Sequence, residues 1–155
     1  VTDLFVIDTN VLVLMKRYTP RDLHPSIWEA MENLVRAGRI LMPRDVLEEL
    51  DRVEDELAPW AKRLDGFVDE PTEADIEIVT EISDTYPLWV DGQQNAADPW
   101  VIAHAYRLGA IVVTDERAKG PGAAQKNLKI PNVAAPYGVR CITLNELGRQ
   151  EGWQF

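Results

Sequence analysis

A lone cysteine, Cys141, excludes an internal disulfide, and its place in an apolar run marks it as a small core residue rather than a reactive thiol. The two histidines, His24 and His104, lie far apart and have no Cys or His companion at zinc-ligand spacing, which excludes an ordinary zinc site. No apolar stretch approaches the ~18 residues of a membrane span. The first residues lack the basic-then-apolar pattern of a secretory signal, so a soluble, cytoplasmic protein with no membrane partner is expected. Basic residues are also scarce: 16 Lys and Arg face 26 Asp and Glu, a formal net charge of −10. That balance argues against broad adhesion to nucleic acid, which rests on clustered Lys and Arg. A nucleic-acid substrate then needs a local basic patch, while a basic protein partner is easily accommodated. Internal repeats and low-complexity segments are absent as well.

The 155 residues, 46% of them hydrophobic, suit one domain spanning 1–155. The chain is organised around its beginning, where Leu4 to Ile7 reads as a buried strand that ends on Asp8-Thr9-Asn10. The plain reading of Asp8 or Thr9 is a cap for a helix from Val11 to Arg17. Ser26 and Glu29 predict a capping box opening a helix whose apolar face carries Ile27, Trp28, Met31, Leu34 and Val35, with Gly38 as its stop. A strand at Arg39–Met42 leads through Pro43 and Asp45 to a helix predicted from Val46 to about Leu57, with Val46, Leu50, Val53 and Leu57 buried and Glu49 near its first turn. Gly66 to Val68 suits a short strand, and Thr72 caps a helix carrying Ile76, Val79 and Ile82. Asp65, Asp69, Glu70, Glu73 and Glu77 read as a solvated face, and Asp91 to Asn95 as a polar loop. Asp98 suits an N-cap, followed by Pro99 at the first helical position and Gly109 as the stop. Ala110 to Thr114 is apolar without alternation, as strands buried on both faces are, and it runs into Asp115-Glu116.

In strand-helix-strand units, strand C-termini and helix N-termini share one edge of a parallel sheet, and ligands bind along that edge. Asp8, Glu49, Asp98 and the Asp115-Glu116 pair all fall there. Converging acids repel one another unless a cation neutralises them, and hard oxygen ligands favour Mg²⁺ or Mn²⁺.

Four segments in order, Val6 to Leu12, Pro43 to Leu50, Ala97 to Ala103 and Val112 to Glu116, resemble the motifs of the PIN-domain family. Lys129 to Val133 and Gly138 to Ile142 resemble a bacterial, VapC-like subgroup of it. The resemblance implies a three-layer α/β/α fold with a central parallel sheet. It also implies an Mg²⁺- or Mn²⁺-dependent endoribonuclease acting on RNA, as the toxin of a toxin–antitoxin pair, with an antitoxin partner and a homodimeric state. Residue by residue, the family's acids match Asp8, Glu49 and Asp98, and its fourth matches Glu116 or Asp115. Asn10 and Thr114 match orienting positions, while Arg117, Lys119, Lys126 and Lys129 are candidates for substrate phosphates. Two other readings compete: a catalytically silent PIN-like interaction module, and a haloacid-dehalogenase-type phosphatase. The latter expects a second Asp where Asn10 stands.

Overall fold

The computed structural model describes residues 2–90 and 95–155, so most of the expected polar loop at 91–95 lies outside the described residues. Among the described residues five parallel strands form one sheet in the order β3-β2-β1-β4-β5: β1 Phe5–Ile7, β2 Ile40–Pro43, β3 Val68–Asp69, β4 Ile111–Val113 and β5 Cys141–Ile142. Eight α-helices among the described residues flank it, giving the expected three-layer PIN-like α/β fold. They are α1 Thr9–Tyr18, α2 Pro25–Arg36, α3 Arg44–Asp51, α4 Leu57–Arg63, α5 Glu73–Thr85, α6 Asp98–Leu108, α7 Ile130–Ala134 and α8 Leu144–Glu151. None of them is long and apolar enough to cross a membrane. β1 and β4 are buried at every position, as strands covered by helices on both faces must be. The chain steps outward from β1 through β2 to β3, then returns to place β4 on the other side of β1. The gap between β1 and β4 is therefore the topological switch point, where such sheets bind ligands.

Several local expectations are corrected. α2 starts at Pro25 with His24 as an unbonded cap, so Ser26 lies inside the first turn and makes no capping box; proline's fixed φ starts the helix instead. The predicted helix from Val46 to Leu57 is two helices, α3 and α4, and the break leaves Val53 58% exposed rather than in a stripe. Ile76 is likewise exposed, because α5 turns Asp75 and Ile82 toward the protein. Gly109 ends α6 at φ 63°, a left-handed conformation in which a side chain would be strained.

Asp69, expected in solvent, belongs to a network that ties α5 to α6. The His104 Nδ1 lies 2.8 Å from an Asp69 carboxylate oxygen, and Arg107 donates to Asp69 at 2.5 Å and to Asp75 at 2.8 Å. Asp75 and His104 are fully buried. Burial works against the Asp75 charge, yet hydrogen bonds from Arg107 and the Thr72 backbone overcome it and hold the carboxyl below its ordinary value. Removing Arg107 strands that charge. Arg107→Ala should cost about 3 kcal/mol, a drop of roughly 9 °C in melting temperature near neutral pH. Since a depressed carboxyl stabilises the fold only while ionised, the deficit should shrink as pH falls through the carboxylate range. Thermal melts across pH check this, and a deficit independent of pH would show that lost packing, not charge, is responsible.

Candidate functional site

The register of β1 and β4 builds the site. Ile7 pairs with Val113, so the next residues, Asp8 and Thr114, emerge side by side at the carboxyl edge. Asp8 caps α1, accepting a hydrogen bond from the Thr9 amide at 2.8 Å, while its second oxygen accepts the Thr114 hydroxyl at 2.8 Å. Thr114 Oγ1 in turn accepts the Glu116 amide at 3.1 Å, so one buried hydroxyl fixes both Asp8 and the turn carrying Glu116. Asn10 accepts the Asp115 amide at 3.2 Å, which ties the same turn to α1. Capping and clustering are therefore compatible at Asp8 rather than alternatives.

Glu49 is the sixth of the eight residues of α3, more than a turn from the helix start where it was expected. Its long side chain still reaches the edge. One oxygen accepts the Thr9 hydroxyl at 2.7 Å, and the other accepts the Ala97 amide at 3.1 Å. Glu49 thus binds the amide of the residue that precedes α6, and the N-cap bond expected of Asp98 is absent. Ala97 is the residue before the helix, and Asp98 is its first residue with no side-chain cap bond. A first-turn acid is still favoured by the helix dipole. Glu116 accepts the Ile130 amide at 2.9 Å and is half-buried, whereas Asp115 is exposed and lines a separate cavity.

The electrostatics show which acids face one another. Burial, then the charge of Glu116, pushes the Asp8 carboxyl up to about 7, against the bonds from Thr114 and Thr9. Burial, then the charges of Asp8, Glu116 and Glu49, pushes Asp98 up to about 8, with Lys129 pulling the other way. Asp115 is not among the main charges acting on either. Asp8, Glu49, Asp98 and Glu116 therefore form one mutually repelling cluster, with Asp115 outside it. Among the described residues none of the four makes an ion pair. In kind, this donor set fits a hard divalent cation: carboxylate oxygens, two of them nearly buried, without a protein counter-ion. In spacing it is not preset, since among the described residues no group of three or more His, Cys, Asp or Glu side chains already stands at ligand distance.

Of the cations, Lys129 is half-buried at the start of α7 beside Glu116, while Arg117, Lys119 and Lys126 are exposed on the segment between β4 and α7. Asn132 ties that segment down, accepting the Lys119 and Lys129 amides at 2.9 and 3.0 Å. Thr9 was missed as an orienting residue, because a Thr after a strand-end Asp reads only as a cap. Nothing in its spacing reveals a partner forty positions away. Cys141 is half-buried and not activated: burial, then Asp8 and Glu116, raises its thiol to about 11.

The architecture defines an α/β protein of PIN-like fold whose acids gather at the sheet's switch point. The chain belongs to the family described as "Domain of unknown function (DUF4411)", which matches residues 5–155. No curated protein matches it. Among solved structures it is similar to VapBC2 from Rickettsia felis bound to a DNA fragment from their promoter, at 15% identity over 90% of this chain and 98% of that one, with a TM-score of 0.54. It is also similar to FitAB bound to an IR36 DNA fragment, at 15% identity over 90% of this chain and 94% of that one, with a TM-score of 0.53. At such identity the likeness is one of fold.

The cluster makes stability depend on pH in a set direction. Folded chains keep protons on Asp8 and Asp98 that unfolded chains release near the ordinary carboxylate value of 3.8, so raising the pH from about 5 to about 9 should destabilise the fold in EDTA. Asp8→Asn removes one repelled charge and should raise the melting temperature above that of wild type at about pH 8, by about 3 °C for ~1 kcal/mol. The variant's gain should fade toward pH 5. A variant that melts well below wild type at the higher pH would mean that the carboxylate's hydrogen bonds outweigh its repulsion.

Proposed function

We propose that this chain is a metal-dependent endoribonuclease of the PIN type, the toxin of a toxin–antitoxin pair. The observation that carries the reading is the convergence of Asp8, Glu49, Asp98 and Glu116 at the switch point, without an ion pair among the described residues. Folding alone has no use for four repelling acids. The fold shared with VapBC2 and FitAB supports the same reading and an antitoxin protein as partner, while the homodimeric state rests on the PIN motifs alone.

Asp8, Asp98 and Glu116 would hold Mg²⁺ or Mn²⁺, with Glu49 ligating or orienting from the α3 side. When bound, the ion supplies Lewis acidity and positive charge beside the attacked phosphodiester. The chain's own residues do the positioning. Thr114 aims an Asp8 oxygen and holds the Glu116 turn, Thr9 holds Glu49, and Asn10 holds the turn from the other side. Arg117, Lys119, Lys126 and Lys129 supply the local positive charge for RNA phosphates that the acidic chain otherwise lacks. Cys141 offers no thiolate nucleophile, and His104 lies in the Asp69 and Arg107 network rather than beside a candidate nucleophile.

A catalytically silent PIN-like interaction module is the second reading, favoured by the absence of a preset ligand group among the described residues. RNA cleavage separates the two. A nuclease-free preparation should cut RNA with Mg²⁺ or Mn²⁺ and lose all cleavage in EDTA. Asp8→Asn and Glu116→Gln should lower the rate more than ~100-fold, and Thr114→Val, which only unfixes Asp8, by ~10–100-fold. Cleavage undiminished in EDTA would remove the metal. No cleavage by wild type under any metal would leave the interaction module.

A further inference from the structure

Asp115 is the one sequence-predicted acid that the cluster leaves out, and it faces a cavity of about 370 Å³ between α1, the turn after β4 and the start of α8. The floor is apolar, with Leu14 and Met15. Tyr18, 68% exposed, stands at its wall, and Arg117, Asp115 and Asn145 give it a polar rim. Asp115 is held in place by its backbone, through the bond to Asn10, while among the described residues its carboxylate has no hydrogen-bond or ion-pair partner. It immediately precedes Glu116 of the acid cluster. None of the four clustered acids lines the cavity, and the Asp115-Glu116 turn is what joins the two.

We infer that this cavity is a guanine-selective base pocket for the single-stranded RNA nucleotide next to the cleaved phosphate. The inference rests on the ribonuclease reading above. An apolar floor with an exposed aromatic ring suits an unstacked base, since any base can lie on a tyrosine face. Arg117 suits the phosphate of the same nucleotide. The carboxylate sets the choice of base. An ionised Asp only accepts hydrogen bonds, and guanine alone presents two adjacent N–H donors, N1–H and the 2-amino group, on one edge. Adenine and cytosine offer an amino group beside an acceptor nitrogen, and uracil a single N–H between two carbonyls; each puts a lone pair against the carboxylate. Asn145 can donate to the guanine carbonyl or N7.

The test needs no catalysis and no metal. The ¹⁵N-labelled 155-residue chain in EDTA is titrated with GMP, AMP, CMP, UMP and IMP, and amide shifts are followed. IMP is guanine's match without the 2-amino group. GMP should bind saturably, with shifts centred on Leu14, Tyr18 and Asn145, and at least about tenfold more tightly than IMP or the other nucleotides. Asp115→Asn should erase the GMP-over-IMP preference, and Tyr18→Ala should weaken binding of every base about fivefold or more. The comparison of GMP with IMP on wild type decides the matter even if a variant folds poorly. Equal binding of GMP and IMP, absence of saturable binding, or shifts mapped elsewhere would overturn the pocket. RNA cleavage without GMP selectivity would overturn the pocket while leaving the nuclease reading intact; GMP selectivity without cleavage would remove the nuclease reading and with it the pocket's place beside a cleaved phosphate.

Discussion

Repulsion among carboxylates at the gap between β1 and β4 is the constraint on which the rest of this structure bears. Parallel pairing in register sets Asp8 beside Thr114, and nearly complete burial deprives Asp8 and Asp98 of water that would solvate their charge. The chain supplies partial relief from hydroxyls and amides rather than from cations. Thr9, Thr114 and the backbone amides of Thr9, Ala97 and Ile130 each give one hydrogen bond to the cluster. Such donors orient carboxylates without cancelling their charge.

The other buried polar network solves the same problem in the opposite way. Asp69 and Asp75 share the Arg107 guanidinium, and the His104 ring lies against both, so a protein cation stands inside this network. That network joins α5 to α6, the helix whose first residue is Asp98. One acid cluster at α6 thus holds a protein cation and the other, among the described residues, does not. The first ties α6 to α5; the second includes Asp98, the first residue of α6.

Much of this was legible in the sequence because apolar runs and breakers are local signals. The buried strand before Asp8, the one before Asp115, and the helix stop at Gly109 follow directly from residue patterns. What escaped was long-range. The break between α3 and α4 has no strong Gly or Pro signal, so Val53 looked buried. Asp69 looked like one acid of a solvated run until its partners, His104 and Arg107, arrived from more than thirty positions away. The choice between Asp115 and Glu116 depends on which way a turn faces after a strand, and the Thr114 hydroxyl that accepts the Glu116 amide settles the geometry of that turn. Thr9 carries two roles at once, one local and readable, the other visible only with Glu49 in place.

The central claim, that these acids await a cation, is tested most directly by counting protons released when Mn²⁺ binds. Calorimetric titrations near pH 7 in two buffers of different ionisation enthalpy give that count. Because burial, and after it repulsion, raises Asp8 to about 7 and Asp98 to about 8, binding should release close to one proton or more near neutrality, and progressively fewer as the pH is raised past 9. Binding without proton release at neutral pH, or no binding to the folded chain at all, would contradict it.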